Sequence, residues 1–140
     1  MNKSNKFLFW TPRLLSILFI LFLSLFSLDV FEGHYGFLGT ILALLIHNIP
    51  TFILVAILII SWKHELVGTW AFTFAGLSYI VLILIDLFVS SKFEWYMLTW
   101  SFIISGPLFL IAYLFYLNWK NRRKKLTSFT LTHKNRLKKR

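Results

Sequence analysis

Hydrophobic positions fall into four long runs, and most of the polar residues are gathered in the gaps between them. The runs cover residues 14–31, 37–60, 66–89 and 96–119. At 1.5 Å per residue, a helix of about 24 residues measures about 36 Å, enough to cross a ~30 Å hydrocarbon core with some tilt. No segment alternates apolar and polar residues as a membrane β-strand would. Lipid offers no partners to backbone donors and acceptors, so a span must satisfy them internally, which selects helices. The gaps near residues 32–36, 61–65 and 90–95 are short, so sequential helices are expected to be antiparallel neighbours. The expected fold class is therefore all-α: a polytopic membrane protein with four transmembrane helices in an up-and-down bundle. Residues 1–13 would form a short segment before the membrane domain of residues 14–119, and residues 120–140 a tail after it.

Composition supports this division. Hydrophobic residues make up 58% of the chain and charged residues 14%, against about 25% charged in an average soluble protein. A mean hydropathy of +0.73 is more apolar surface than one soluble core of this size can hide. Charge then sets the orientation. The net charge of +10 lies wholly in the tail, where ten Lys and Arg occur without an acid; the preceding residues carry five of each sign. With the N-terminus inside, fourteen basic residues face the cytoplasm and Lys92 alone faces out, a strong positive-inside bias. Trp10, Trp62, Tyr116 and Trp119 then mark the inner boundary, and Tyr35, Trp95, Tyr96 and Trp100 the outer one. Both termini are expected in the cytoplasm of a multi-pass cell-membrane protein. The first run is too long for a leader's apolar core and lacks a small-residue cleavage site after it. There is no cysteine, so disulfide and thiolate chemistry are excluded.

Ionisable residues inside a span are costly, which makes each a candidate site. Asp29, His47 and Asp86 are the three here, with Asn48 beside His47. Asp29 and Asp86 lie near the outer ends of their helices, whereas His47 lies deep in the second. Asp86 shares a helical face with Gly68, Ala71, Ala75 and Ser78, small residues that let helices approach closely. Thr40, Ala43, His47 and Thr51 form a similar face on the second helix, and Ser101, Ser105, Ala112 and Tyr116 on the fourth. These faces suggest an outward-facing polar cavity floored by His47 and flanked by Asp29 and Asp86, which could carry a proton, a cation or a polar solute. Interhelical hydrogen bonds that merely fix the packing would use the same residues. Pro50 and Pro107 each remove a backbone donor near mid-membrane and are expected to kink their helices.

Other motifs fall away. His64-Glu65 begins like a zincin helix, but the second histidine would stand where Gly68 does. His34, His47, His64 and His133 are scattered across the chain, so no shared metal site is expected. No phosphate-binding glycine loop or nucleophile elbow is present. In the tail, Lys120, Arg122, Arg123, Lys124 and Lys125 directly follow a span, as juxtamembrane clusters that bind anionic headgroups do. Lipid binding and orientation therefore account for the tail ahead of nucleic acid. The second cluster, residues 134–140, is more available to another partner, and residues 127–132 carry no clear secondary-structure signal.

Several landmarks occur in a recognisable order. They are Pro12-Arg13, Leu28-Asp29-Val30-Phe31, His47 with Ile49-Pro50-Thr51, Trp62-Lys63, Glu65, Gly68, Ser105-Gly106-Pro107-Leu108-Phe109 and Asn118-Trp119. In these the chain resembles an uncharacterised family of small bacterial four-helix membrane proteins, a domain of unknown function. The resemblance covers about residues 8–120 and implies a four-helix inner-membrane fold without an activity. Two function classes stay open: a non-enzymatic accessory, assembly or regulatory protein, or a small ion, proton or polar-solute transporter or channel built around His47 and Asp86. Small multidrug transporters also have four helices, but their working carboxylate lies well inside the first helix, unlike Asp29. No enzyme activity and no cofactor are expected. The expected partners are the bilayer and its anionic lipids, with a membrane-protein partner or a second copy of the chain also open.

Overall fold

A computed structural model describes residues 3–90 and 95–138, and every regular element among them is helical. Helix α1 spans Lys3–Leu25 and tightens into a 3₁₀ segment, Phe26–Glu32. Then come α2 (Phe37–His47), α3 (Ile49–Ser61), α4 (Glu65–Ser90) and α5 (Trp95–Lys138). Three helical stretches are long and apolar enough to cross a membrane, and the bent pair α2–α3 makes a fourth if counted as one span.

Three features differ from the plain pattern of four runs. Helix α1 starts well ahead of Leu14 and passes through Pro12 without ending. Side chains near the proline bond back to helix carbonyls: Thr11 Oγ1 donates to the Phe7 carbonyl and Ser16 Oγ to that of Pro12, both at 2.7 Å, as is common where proline interrupts an apolar helix.

The second run is two helices meeting at 46°. Asn48 separates them at φ −87°, ψ 0°, and Pro50 stands in the first turn of α3, where its missing N–H costs nothing. Proline at that position cannot donate to the Ile46 carbonyl and crowds it, so the chain bends. Pro107, by contrast, lies within α5 with no break in the helix.

Lastly, α5 continues through the basic segment to Lys138 as a single helix of 44 residues. Its length is about 66 Å, of which about 28 Å lies beyond Trp119. Only the apolar part had a sequence signal; Lys, Arg and Leu are nonetheless good helix formers and carry the helix on.

Helices α1, α3, α4 and α5 form a ring in which each touches the next, while α2 packs mainly on the 3₁₀ segment. The core contains Phe19 and Ile20 of α1, Leu54 and Leu58 of α3, Phe72 of α4, and Leu108, Ile111, Ala112 and Phe115 of α5. Phe72 and Phe115 stack with centroids 5.9 Å apart. Glycines bring α4 and α5 close: a Cβ on Gly68 would lie 2.8 Å from Ser61 Oγ and 3.0 Å from the Phe115 ring, and one on Gly76 3.1 Å from Phe109. The outer surface is apolar, with Phe88 83% and Phe102 81% exposed. A water-soluble fold would turn such side chains inward.

A buried charge node as the candidate functional site

Both ends of the polar pattern can be traced from residues upward, and they behave oppositely. Asp29 in the 3₁₀ segment, His47 at the end of α2 and Asp86 near the end of α4 all have exposed side chains. His47 Nδ1 lies 3.1 Å from the Ala43 carbonyl of its own helix, and Asn48 Nδ2 donates to the Leu44 carbonyl at 3.0 Å. The bend at Asn48 explains the placement of His47. It takes α2 out of the ring, and α2 has no fully buried residue.

Between α1, α3, α4 and α5 there is a cleft of about 510 Å³. Leu23, Pro50, Leu54, Ala75, Ile104 and Leu108 are among its walls, and Ser78 and Tyr79 supply its polar groups; Asp29, His47, Asn48 and Asp86 do not line it. Ala71, Ala75 and Ser78 thus do share an inward face, but Asp86 at the far end of that stripe is exposed.

The chemistry that the fold buries is at the other end of the ring. Arg13 of α1 is 0% exposed, Glu65 of α4 3% and Asn118 of α5 5%. Glu65 Oε1 accepts a hydrogen bond from Asn118 Nδ2 at 2.8 Å and is ion-paired with Arg122 Nε at 3.4 Å and an Arg13 terminal nitrogen at 3.5 Å. The Arg13 guanidinium also donates to the Trp62 carbonyl at 3.2 Å and to that of Phe9. Its Nε is buried without a hydrogen-bond partner. Aromatic faces flank the group instead, Phe9 at 3.5 Å and Phe115 at 5.8 Å from its central carbon, a cation–π environment that offsets part of the lost hydration.

Local structure explains each placement. Glu65 opens α4, where the positive end of the helix dipole favours a carboxylate. Asn118 and Arg122 are four apart on α5 and so share a face. Trp62 follows the last residue of α3, where carbonyls lack helical partners, and Arg13 fills that need. The node therefore ties α1, the α3–α4 turn, α4 and α5 together. Two guanidinium groups and one carboxylate leave it with an excess positive charge.

Of the expected headgroup-binding residues, Lys120, Arg122, Arg123, Lys124 and Lys125 are exposed on α5. Arg122 differs from the others in reaching Glu65. Arg13, Glu65 and Asn118 were not singled out as a site by depth or spacing, because Arg13 and Glu65 sit at the borders of apolar runs and look like ordinary interfacial charges. They do, however, stand among the landmarks of the family resemblance. Among the described residues no group of three or more His, Cys, Asp or Glu is placed to hold a metal ion.

An all-helical chain with three or four potential spans and a buried ionic knot at one end is the class that fold and site define. It belongs to the family described as a domain of unknown function, DUF7670, which matches residues 1–127 and so runs past Lys120 into the basic part of α5. No curated protein and no solved structure matches the chain.

Proposed function

We propose that the chain is a multi-pass membrane protein with an up-and-down bundle and both termini in the cytoplasm. In this reading it is a non-enzymatic accessory, assembly or regulatory protein that presents the end of α5 to a partner. The observation that carries the reading is the continuity of α5 from an apolar span into a cationic arm, anchored at its base by the Glu65 node. The exposed apolar surface supports insertion in lipid. Meeting of the start of α1, the α3–α4 turn and α5 in one node supports the up-and-down arrangement, and the Lys and Arg bias supports the orientation. The apolar walls of the interhelical cleft favour this reading over ion or polar-solute transport.

Purified protein in liposomes should give no flux and should not dissipate a pH gradient, while cross-linking from the α5 arm in native membranes should recover a stoichiometric partner. Flux that His47→Ala and Asp86→Asn both abolish, in variants that remain folded, would replace this reading with transport.

A further inference from the structure

The basic segment is not a uniform smear of charge, because the helix sorts its cations. Arg122 is turned toward Glu65, to which it is ion-paired. Lys120, Arg123 and Lys124, at i, i+3 and i+4, share another face and with Trp119, Thr127 and Ser128 line a depression of about 410 Å³. The Arg123 guanidinium lies over the Trp119 ring at 5.0 Å and the Lys120 ammonium 5.8 Å from the centre of the Tyr116 ring. Both rings belong to the turn where the apolar stretch ends.

Among the described residues, the ion pairs of the chain's acids with Arg13 and Arg122 do not involve these three cations. Asp29, Glu32 and Asp86 belong to the opposite end of the apolar runs, and Glu65 is taken by Arg13, Asn118 and Arg122. Like charges three and four apart repel along a helix, so the cluster is best relieved by an external anion. Thr127 and Ser128 donate their hydroxyl hydrogens to the Arg123 and Lys125 carbonyls, so those hydrogens are already engaged. Its position beside Tyr116 and Trp119, one turn past the apolar stretch, would put it at the height of lipid phosphates on the membrane reading.

We propose that Lys120, Arg123 and Lys124 form a discrete site for the phosphate of an anionic phospholipid, from which Arg122 is withheld by Glu65. This rests on the membrane reading above. The lipid's acyl chains would lie along the apolar part of α5, while its headgroup oxygens accept from the three cations and its edge packs on Trp119.

The test uses the full chain in vesicles of phosphatidylcholine with a minor fraction of phosphatidylglycerol, followed by detergent release and native mass spectrometry. Wild type should retain phosphatidylglycerol in preference to phosphatidylcholine. Combined Lys120→Gln, Arg123→Gln and Lys124→Gln should reduce the retained anionic lipid by about tenfold or more, given the worth of each interfacial cation. A charge-matched variant with Lys134→Gln, Arg136→Gln and Lys138→Gln should keep it. Equal loss in the two variants would mean that charge count alone matters and would overturn the site. Displacement by soluble glycerol phosphate as effective as by phosphatidylglycerol would overturn its assignment to lipid. An alkaline carbonate wash separates the two levels: a chain released from the vesicles overturns the membrane reading and the site with it, whereas a chain that stays embedded while the variants behave alike overturns the site alone.

Discussion

At the scale of single residues, Glu65 matters more than its place at a turn suggests. It accepts a hydrogen bond from Asn118 and is ion-paired with two arginines, one of them, Arg13, fully buried. Glu65→Ala would leave Arg13 buried without a counter-charge, a change that costs about 3–5 kcal/mol in comparable sites. The expected outcome is a large fall in the detergent unfolding temperature. Combining Arg13→Met with Glu65→Leu removes both charges together and should recover much of that loss. A double variant as unstable as Glu65→Ala would show that the node acts through its hydrogen bonds to Asn118 and the turn rather than through charge balance. Such a site is hard to see in one dimension, since Arg13, Glu65 and Asn118 come together only when three helices pack. Asp29, His47 and Asp86 were easier to notice, yet the exposure of His47 follows from a bend whose direction the residues themselves do not encode.

At the scale of elements, the apolar runs were legible because lipid demands contiguous apolar helix, and α1, α4 and α5 each contain one. Pro50 announced a disturbance in the second run, though not that α2 would leave the ring to pack on the 3₁₀ segment. The length of α5 was not legible, because residues 127–132 mix Thr and Ser with apolar residues and give no helical stripe. Circular dichroism can check this element directly. Ending the chain after Trp119 should remove helical signal in proportion to residues 120–138, and an unchanged total ellipticity would show that the basic segment is not helical in solution. The node predicts a dependence here too: with Asn118 and Arg122 both bound to Glu65, the first turns of the arm should exchange amide hydrogens more slowly than its end.

At the scale of the whole molecule, the lack of cysteine makes the proposed arrangement across a membrane directly measurable. Single substitutions Lys63→Cys and Ser128→Cys should react with a membrane-impermeant maleimide from the same side of sealed vesicles, and His34→Cys from the other. Labelling of Lys63→Cys and Ser128→Cys from opposite sides would remove the up-and-down arrangement. The buried node already brings residues of α1, the α3–α4 turn, α4 and α5 to one end of the ring, which is the contact pattern such labelling should reproduce.

The continuity of α5 as one helix has one more consequence, for how quickly anything would find its tip. A flexible chain of the same length would place its end anywhere within roughly 25 Å of its root, much of the time flat against the bilayer. On the proposed reading, a helix seated in the ionic knot would hold that end in a narrow shell at a fixed height. On the proposed membrane reading, a second molecule confined to the same bilayer would meet it at a much higher effective concentration, provided its own receptor surface stood at that height, and scarcely at all if it did not. The arm would thus select partners by reach before any side chain is compared.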